Sequence, residues 1–295
     1  MNYGTRSAAE IFQETIRDEL TQDLKGVFNI SDDIIVHGRD TKEHDATLEA
    51  LLKKSREKNV TFNKAKCEFN RERVVYYGLM FSKEGVSPDP CKVQAIKEAG
   101  CPGNAAELNS FLYTVRHSSR FMEARKYQKA VCKLGELLKG KFDWIQEHTE
   151  AFEELKNMLS SDTVQAYFDP QAEHELHLEG YPMGLAATLT QRKPGEQVWQ
   201  VVQYTSRSLT DTEKRYSQIE LEALACDFGC KKFHLFLYRI PFKMVTDHKP
   251  LESVFNKPTH AMSIRVQRMV NRTLDYDFVV EYRPGKENIS DYTSR

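Results

Sequence analysis

The sequence predicts a multi-module α/β chain, α+β in character over its first part and an α/β sandwich over its last third. Three observations carry this. At 295 residues the chain exceeds one ordinary core and suits two or three compact units. Up to about residue 163, short β-prone runs alternate with capped helical stretches. Beyond it, three strand-like runs, a long helix and a further strand follow in the order of an α/β sandwich.

Residues 7–21 read as a helix, with Ser7 and Glu10 spaced as a capping box and Phe12, Ile16 and Leu20 at helical intervals. Val27–Ile30 and Ile34–Val36 are β-prone runs around the turn residues Ser31-Asp32-Asp33, which predicts a hairpin with two carboxylates at its tip. Asp40 and Glu43 cap a second helix that carries Leu48, Leu51 and Leu52 and ends near Asn59. Val74–Phe81 reads as one strand. Gly85–Pro90 and Cys101-Pro102-Gly103-Asn104 are turn-rich, and Asn104 with Glu107 opens another capped helix. The Lys-rich stretch Glu123–Lys141 has little clear period, whereas Phe152, Leu155 and Leu159 mark a helix over Thr149–Leu159.

After a boundary near 163, strands are expected around 174–179, 184–191 and 197–204, with Lys193-Pro194-Gly195-Glu196 as a turn. Thr210 and Glu213 cap the approach to a long helix whose apolar face is Ile219, Ala223, Cys226, Cys230 and Phe233. Phe242–Thr246 is a strand, Ile264–Leu274 a helix and Phe278–Tyr282 a last strand.

Composition narrows the function classes. Hydrophobic residues make up 40% and charged residues 29%, which is globular usage and argues against disorder. No stretch approaches the roughly 18 uninterrupted apolar residues of a membrane span. The start, Met1-Asn2-Tyr3-Gly4, lacks the basic and apolar regions of a secretory signal, so the expected setting is intracellular, cytoplasm or nucleus. The six cysteines include no C-x-x-C pair, which suggests reduced thiols rather than disulfides or a zinc knuckle. Cys226, Cys230 and His234 share one helix face, which is either core or a metal-holding set. With 42 basic and 43 acidic residues the net charge is −1, so any nucleic-acid contact must come from local patches.

In the last segment, carboxylates stand at a strand end (Glu179), within the long helix (Glu222), just after a strand (Asp247) and near the end of the sequence (Asp291). Acids gathered from separate elements repel one another and are held together mainly by divalent metal, which can stabilise the attacking and leaving oxygens of a phosphodiester. The alternative is that each is a separate solvated acid.

Ser206-Arg207-Ser208-Leu209-Thr210, Tyr216-Ser217-Gln218-Ile219-Glu220-Leu221-Glu222-Ala223-Leu224-Ala225, Thr246-Asp247-His248-Lys249-Pro250-Leu251 and Tyr282-Arg283-Pro284-Gly285-Lys286-Glu287-Asn288 resemble the ribonuclease H region of gypsy-type LTR retrotransposon Pol polyproteins. The resemblance implies a ribonuclease H-like sandwich with a mixed sheet, a two-metal Mg²⁺ or Mn²⁺ site and an RNA-DNA hybrid as partner. It puts the catalytic, metal-binding acids on Glu222, Asp247 and Asp291. The first aspartate of the family falls on Glu179 in Leu178-Glu179-Gly180-Tyr181, and a usual glycine falls on Ala186. An extra methylene moves a carboxylate by roughly 1.5 Å, against a tolerance of about 0.5 Å in catalytic constellations, so impaired cleavage is expected.

Upstream, Asn2-Tyr3-Gly4-Thr5-Arg6-Ser7-Ala8-Ala9-Glu10-Ile11-Phe12-Gln13 resembles the palm motif that precedes the paired aspartates of these reverse transcriptases, and Asp32 and Asp33 match the pair. Phe62-Asn63-Lys64-Ala65-Lys66-Cys67-Glu68-Phe69, Tyr77-Gly78 and Gly85-Val86-Ser87-Pro88 continue the resemblance. It implies a partial reverse transcriptase palm over 1–90, a thumb or connection-like region over 91–163 and a ribonuclease H-like domain over 164–295. The family places a further metal-binding aspartate and the fingers before the point where this sequence begins, so DNA polymerisation is not expected of it.

For nucleic-acid contact the candidates are Gln13 from the palm resemblance, Arg265, Arg268 and Arg272 on one helix face, Lys231-Lys232 and Lys286. A solvated helix face is the alternative for the arginines. His248 beside Asp247 is either a proton shuttle or a structural strand-end residue. Three readings follow: a ribonuclease H impaired at Glu179, a noncatalytic hybrid- or duplex-binding protein, and a truncated frame without a stable role.

Overall fold

The computed structural model describes residues 7–159, 163–256 and 262–284, and the chain divides into two compact units, 1–83 and 84–295. The first unit opens with helix α1 (Ala8–Ile16), which runs into a π-helical turn over Arg17–Thr21. The expected Ser7–Glu10 box does not form. Ser7 already has helical backbone (φ −89°, ψ −3°), and its carbonyl accepts from Ile11 N–H at 3.0 Å, whereas a capping side chain needs an extended residue.

Strands β1 (Val27–Ile30) and β2 (Asp33–Val36) form the predicted hairpin, with Ile30 opposite Asp33 and a two-residue turn of Ser31, at φ 51°, and Asp32. Helix α2 (Thr41–Glu57) is capped by Asp40, whose side chain accepts from Glu43 N–H at 2.8 Å. Leu20, Val27 and Leu51 make the small core of this unit. The single strand expected over Val74–Phe81 is instead a hairpin of β3 (Arg73–Tyr76) and β4 (Leu79–Ser82). Tyr77 and Gly78 both lie at positive φ (49° and 71°), the conformation of a tight hairpin turn, and the apolar residues on either side of them conceal the break.

The second unit begins with β5 (Gly85–Pro88), whose Val86 bridges Gln165 through paired backbone hydrogen bonds of 2.9 and 2.8 Å. Helices α3 (Pro90–Glu98), α4 (Ala105–His117), α5 (Ala124–Glu136) and α6 (Gln146–Met158) follow. Asn104 caps α4 as its spacing predicts, accepting from Glu107 N–H at 2.9 Å. Phe111 of α4 packs on Phe152 of α6 with ring centroids 4.5 Å apart. Helix α5 falls where no clear period was expected. Its buried residues Ala124, Tyr127, Ala130 and Leu134 keep helical spacing, but lysines at 126, 129 and 133 fill the intervals and mask it.

Strands β6 (Glu173–Tyr181), β7 (Gly184–Arg192) and β8 (Gln200–Ser208), helix α7 (Gln218–Lys232), the short α8 (His234–Leu237), β9 (Phe242–Thr246), α9 (Lys249–Asn256), α10 (Ile264–Asn271) and β10 (Phe278–Tyr282) complete the unit. The sheet is mixed and ordered β10-β9-β6-β7-β8. β7 is antiparallel to both β6 and β8, while β9 is parallel to both β6 and β10. This is the expected α/β sandwich.

Leu176 and Leu178 of β6, Met244 of β9 and Val280 of β10 face α7 in one large core. α7 is buried continuously from Leu221 to Cys230, so it carries no single apolar face of the kind its sequence suggested; α10 and the sheet press it from different sides. Cys226 and Cys230 are part of that core, and His234 hydrogen-bonds Tyr276 at 2.9 Å. Among the described residues no helix is long and apolar enough to cross a membrane.

Candidate active site

Strand alternation positions the first carboxylate. Leu176 and Leu178 face α7, so Glu175, His177 and Glu179 face the other side of β6. The parallel register pairs Glu175 with Lys243 and His177 with Val245. Continued by two residues, it brings Glu179 level with Asp247, which follows the last residue of β9.

Gly180 brings in the second acid. A Cβ there would lie 2.5 Å from the Leu221 carbonyl carbon and 2.8 Å from Glu222 N, so only a bare backbone lets the first turns of α7 approach the strand this closely. Gly180 N–H donates to Glu222 Oε2 at 3.3 Å. The Gln218 amide donates to the Gly180 carbonyl at 2.6 Å and to Glu222 Oε1 at 2.7 Å. Ser217 and Glu220 start the helix, the Ser217 N–H donating to Glu220 Oε2 at 3.0 Å.

The electrostatics are those of an acid cluster short of positive charge. Burial and the neighbouring Asp247 charge push the Glu222 carboxyl up to about 8, against the hydrogen bonds from Gln218 and Gly180; Glu179 adds to the rise. Burial raises Glu179 as well, with Arg125 opposing and Asp247 and Glu123 reinforcing. Glu179, Glu222 and Asp247 are thus near enough to repel one another. Asp247 itself is exposed.

Arg125 of α5 completes the surroundings. Its Nη1 lies 3.5 Å from Glu179 Oε2, an ion pair without hydrogen-bond geometry, and that buried oxygen has no hydrogen-bond partner. Ala124, the preceding residue, packs with Ala186 and Tyr204, and Ala186 stands directly opposite Glu179 in the sheet. The methyl at the position where the resemblance expects glycine is therefore part of the seat of α5.

The acids suit a divalent cation on two counts: the orphaned Glu179 oxygen, and a buried Glu222 that needs nearby positive charge to ionise at neutral pH. Among the described residues, no three His, Cys, Asp or Glu side chains are drawn close enough to surround an ion as they stand.

Asp291 and Lys286 lie outside the described residues, as do the first residues of the palm-like motif. Asp32 and Asp33 are exposed at the β1–β2 turn. Gln13 is occupied within the chain: its side chain donates to Asn29 O at 2.9 Å and accepts from Ser31 N–H, so it pins the hairpin that bears the two aspartates. Arg265 pairs with Glu220 at 2.8 Å and lies over the Tyr216 ring at 4.3 Å, and Arg272 pairs with Asp227 at 3.1 Å. Lys231 also reaches Asp227, at 2.8 Å. Arg268 is exposed, with no ion pair among the described residues. His248 Nδ1 is buried without a partner.

Gln218, Gly180 and Arg125 belong to the site without being evident from the sequence. Gln218 precedes Glu222 by four positions, one helical turn, and that spacing was the available signal. Arg125 carried none, because its contact depends on how α5 docks.

Residues 144–244 match the family described as the RNase H-like domain found in reverse transcriptase. The Transposon Tf2-3 and Tf2-7 polyproteins of Schizosaccharomyces pombe are each 28% identical over 301 aligned residues, covering all of this chain and 22% of each relative. The chain thus spans about a fifth of the curated relatives it matches. Among solved structures, the foamy viral protease-reverse transcriptase in complex with an RNA/DNA hybrid aligns with TM-score 0.77 and 18% identity, over 97% of this chain and 39% of that one. The same viral protein in complex with dsDNA aligns with TM-score 0.78 and 18% identity, over 97% and 60%. The likeness is one of fold.

Proposed function

We propose that this chain, homologous along its length to retrotransposon polyproteins and carrying the RNase H-like domain found in reverse transcriptase, hydrolyses the RNA strand of RNA-DNA hybrids. Glu179, Glu222 and Asp247 would hold two Mg²⁺ or Mn²⁺ ions, with Asp291, outside the described residues, as the fourth acid that the sequence resemblance assigns. When bound, such a pair of cations stabilises charge on the attacking and leaving oxygens of a phosphodiester.

What supports the reading is that Asp247 at the end of β9 and Glu179 of β6 lie near enough to Glu222 of α7 to add to burial in pushing its carboxyl up to about 8. Gln218 fixes the Glu222 carboxylate, and Gly180 sets how near it stands to β6. Glu179 reaches farther than an aspartate and is engaged by Arg125. Turnover is therefore slow. The hybrid is held by shape and phosphate contacts, with Arg268 and Lys286 as contributors and Arg265 and Arg272 available where their ion pairs exchange for phosphate.

The Arg125–Glu179 ion pair also favours a second reading, in which the site binds hybrid without cutting it. Magnesium-dependent cleavage of a labelled RNA-DNA hybrid by the purified chain and its Asp247→Asn variant separates the two. Cleavage by the parent that disappears in the variant supports the nuclease; tight binding with no cleavage by either supports the second reading.

A further inference from the structure

The cation that faces Glu179 comes from outside the sandwich. Arg125 is the second residue of α5, and its backbone N–H is capped by Glu123 Oε1 at 2.9 Å. The first turn of a helix disfavours positive charge, so a cation there gains nothing from its own helix. Its guanidinium instead points back to the sheet, 3.5 Å from Glu179 Oε2 and 5.8 Å from the centre of the Tyr181 ring. The helix is firmly seated. Ala124 packs with Ala186 and Tyr204, the Gln128 amide donates to Ser208 Oγ at 2.7 Å, and the Cys132 thiol reaches the Met183 carbonyl at 3.6 Å.

We propose that Arg125 is a built-in counter-ion of the carboxylate cluster, which competes with divalent cations for Glu179 and makes the seating of α5 a control on the metal affinity of the site. The inference rests on the reading of the cluster as a metal site. Two features support it. The same Glu179 oxygen that faces Arg125 accepts no hydrogen bond, so the guanidinium restrains it by charge alone and can release it. Among the described residues the acids, as they stand, do not surround an ion, so a carboxylate has to shift for one to be held, and release of Glu179 from Arg125 supplies that movement. The longer arm of glutamate, which misplaces a carboxylate relative to aspartate, is also what lets it reach across to α5.

The test is a titration of this 295-residue chain with Mn²⁺, free ion being counted by electron paramagnetic resonance, for the parent and for Arg125→Gln, Arg125→Met, Arg125→Lys and Asp247→Asn. Thermal melts report which variants are folded. Removing the guanidinium charge is expected to tighten Mn²⁺ binding about three- to fivefold, the scale of one half-exposed ion pair, while Arg125→Lys stays near the parent. Asp247→Asn is expected to weaken binding about tenfold or more. If Asp247→Asn weakens binding but neither charge-removing variant tightens it, the role of Arg125 is refuted and the metal site stands. If Asp247→Asn binds as the parent does, or the parent binds no Mn²⁺, the metal site fails and the inference fails with it.

Discussion

The Gln218 side-chain amide donates to Glu222 Oε1 at 2.7 Å, one turn away on α7, and joins that carboxylate to the Gly180 carbonyl of β6. The acid so held is 2% exposed. Gln218 is a positioning residue: it orients a carboxylate that the strand alone does not fix. Gln218→Leu is expected to cost about 1–3 kcal/mol by leaving buried acceptors unpaired, read as a lower urea midpoint with unchanged slope. Hybrid cleavage should lose kcat with little change in KM, because the defect lies in orientation and not in substrate binding.

Gly180→Ala forces a methyl against the backbone of Leu221 and Glu222, at 2.5 and 2.8 Å before any relaxation. Backbone cannot rotate away as a side chain can, so a loss of about 3 kcal/mol or more is expected from urea denaturation. The displaced first turns of α7 should weaken Mn²⁺ binding in the same variant.

Glu179→Asp shortens the carboxylate arm and withdraws it from Arg125. On the proposed function, kcat for hybrid cleavage rises by about 10- to 100-fold, since a misplacement on the order of 1 Å costs about that much, and KM stays the same. An unchanged or lower kcat in a folded variant would mean that the extra methylene is not what limits the site.

Beneath the site, Arg283 donates to both oxygens of Glu175 at 2.7 and 2.6 Å, and His177 Nε2 lies 3.2 Å from the same carboxylate. Burial alone would push the Glu175 carboxyl up; His177 and Arg283 reverse this and hold it down at about 2. A folded-state value below the unfolded one gives stability that is present above the usual glutamate range and is lost as the pH falls toward about 2. Arg283→Met strands Glu175 as a buried, poorly compensated charge. It is expected to destabilise the chain by about 3 kcal/mol at neutral pH. Chemical denaturation at a series of pH values should show the gap between parent and variant narrowing from about pH 5 downward; a gap independent of pH would contradict this account of the pair.

What the sequence could reveal followed from the range of each interaction. Strands β6, β7, β9 and β10 and helix α4 were legible because alternation, helical spacing and Asn104–Glu107 capping are local. The Ser7–Glu10 box misled because the same spacing occurs where the backbone is already helical. The β3–β4 hairpin was concealed by apolar residues on both sides of Tyr77-Gly78, and α5 by lysines between its buried positions. At the site, Glu222 and Asp247 were legible as acids in extended motifs. The convergence itself depends on the parallel β6–β9 register, and Arg125 on the docking of α5 through Ala186, neither of which leaves a local mark.

On the function proposed above, Glu222, from inside α7, works with Glu179 and Asp247 in one metal-dependent nuclease site. The most direct test is single-turnover cleavage of a labelled RNA-DNA hybrid in Mg²⁺, with protein in excess, comparing the parent with Glu222→Gln, which keeps the size of the side chain and removes its charge. Slow, Mg²⁺-dependent cleavage by the parent is expected, with cleavage lost in the variant while hybrid binding is retained. Equal cleavage by parent and variant would contradict it.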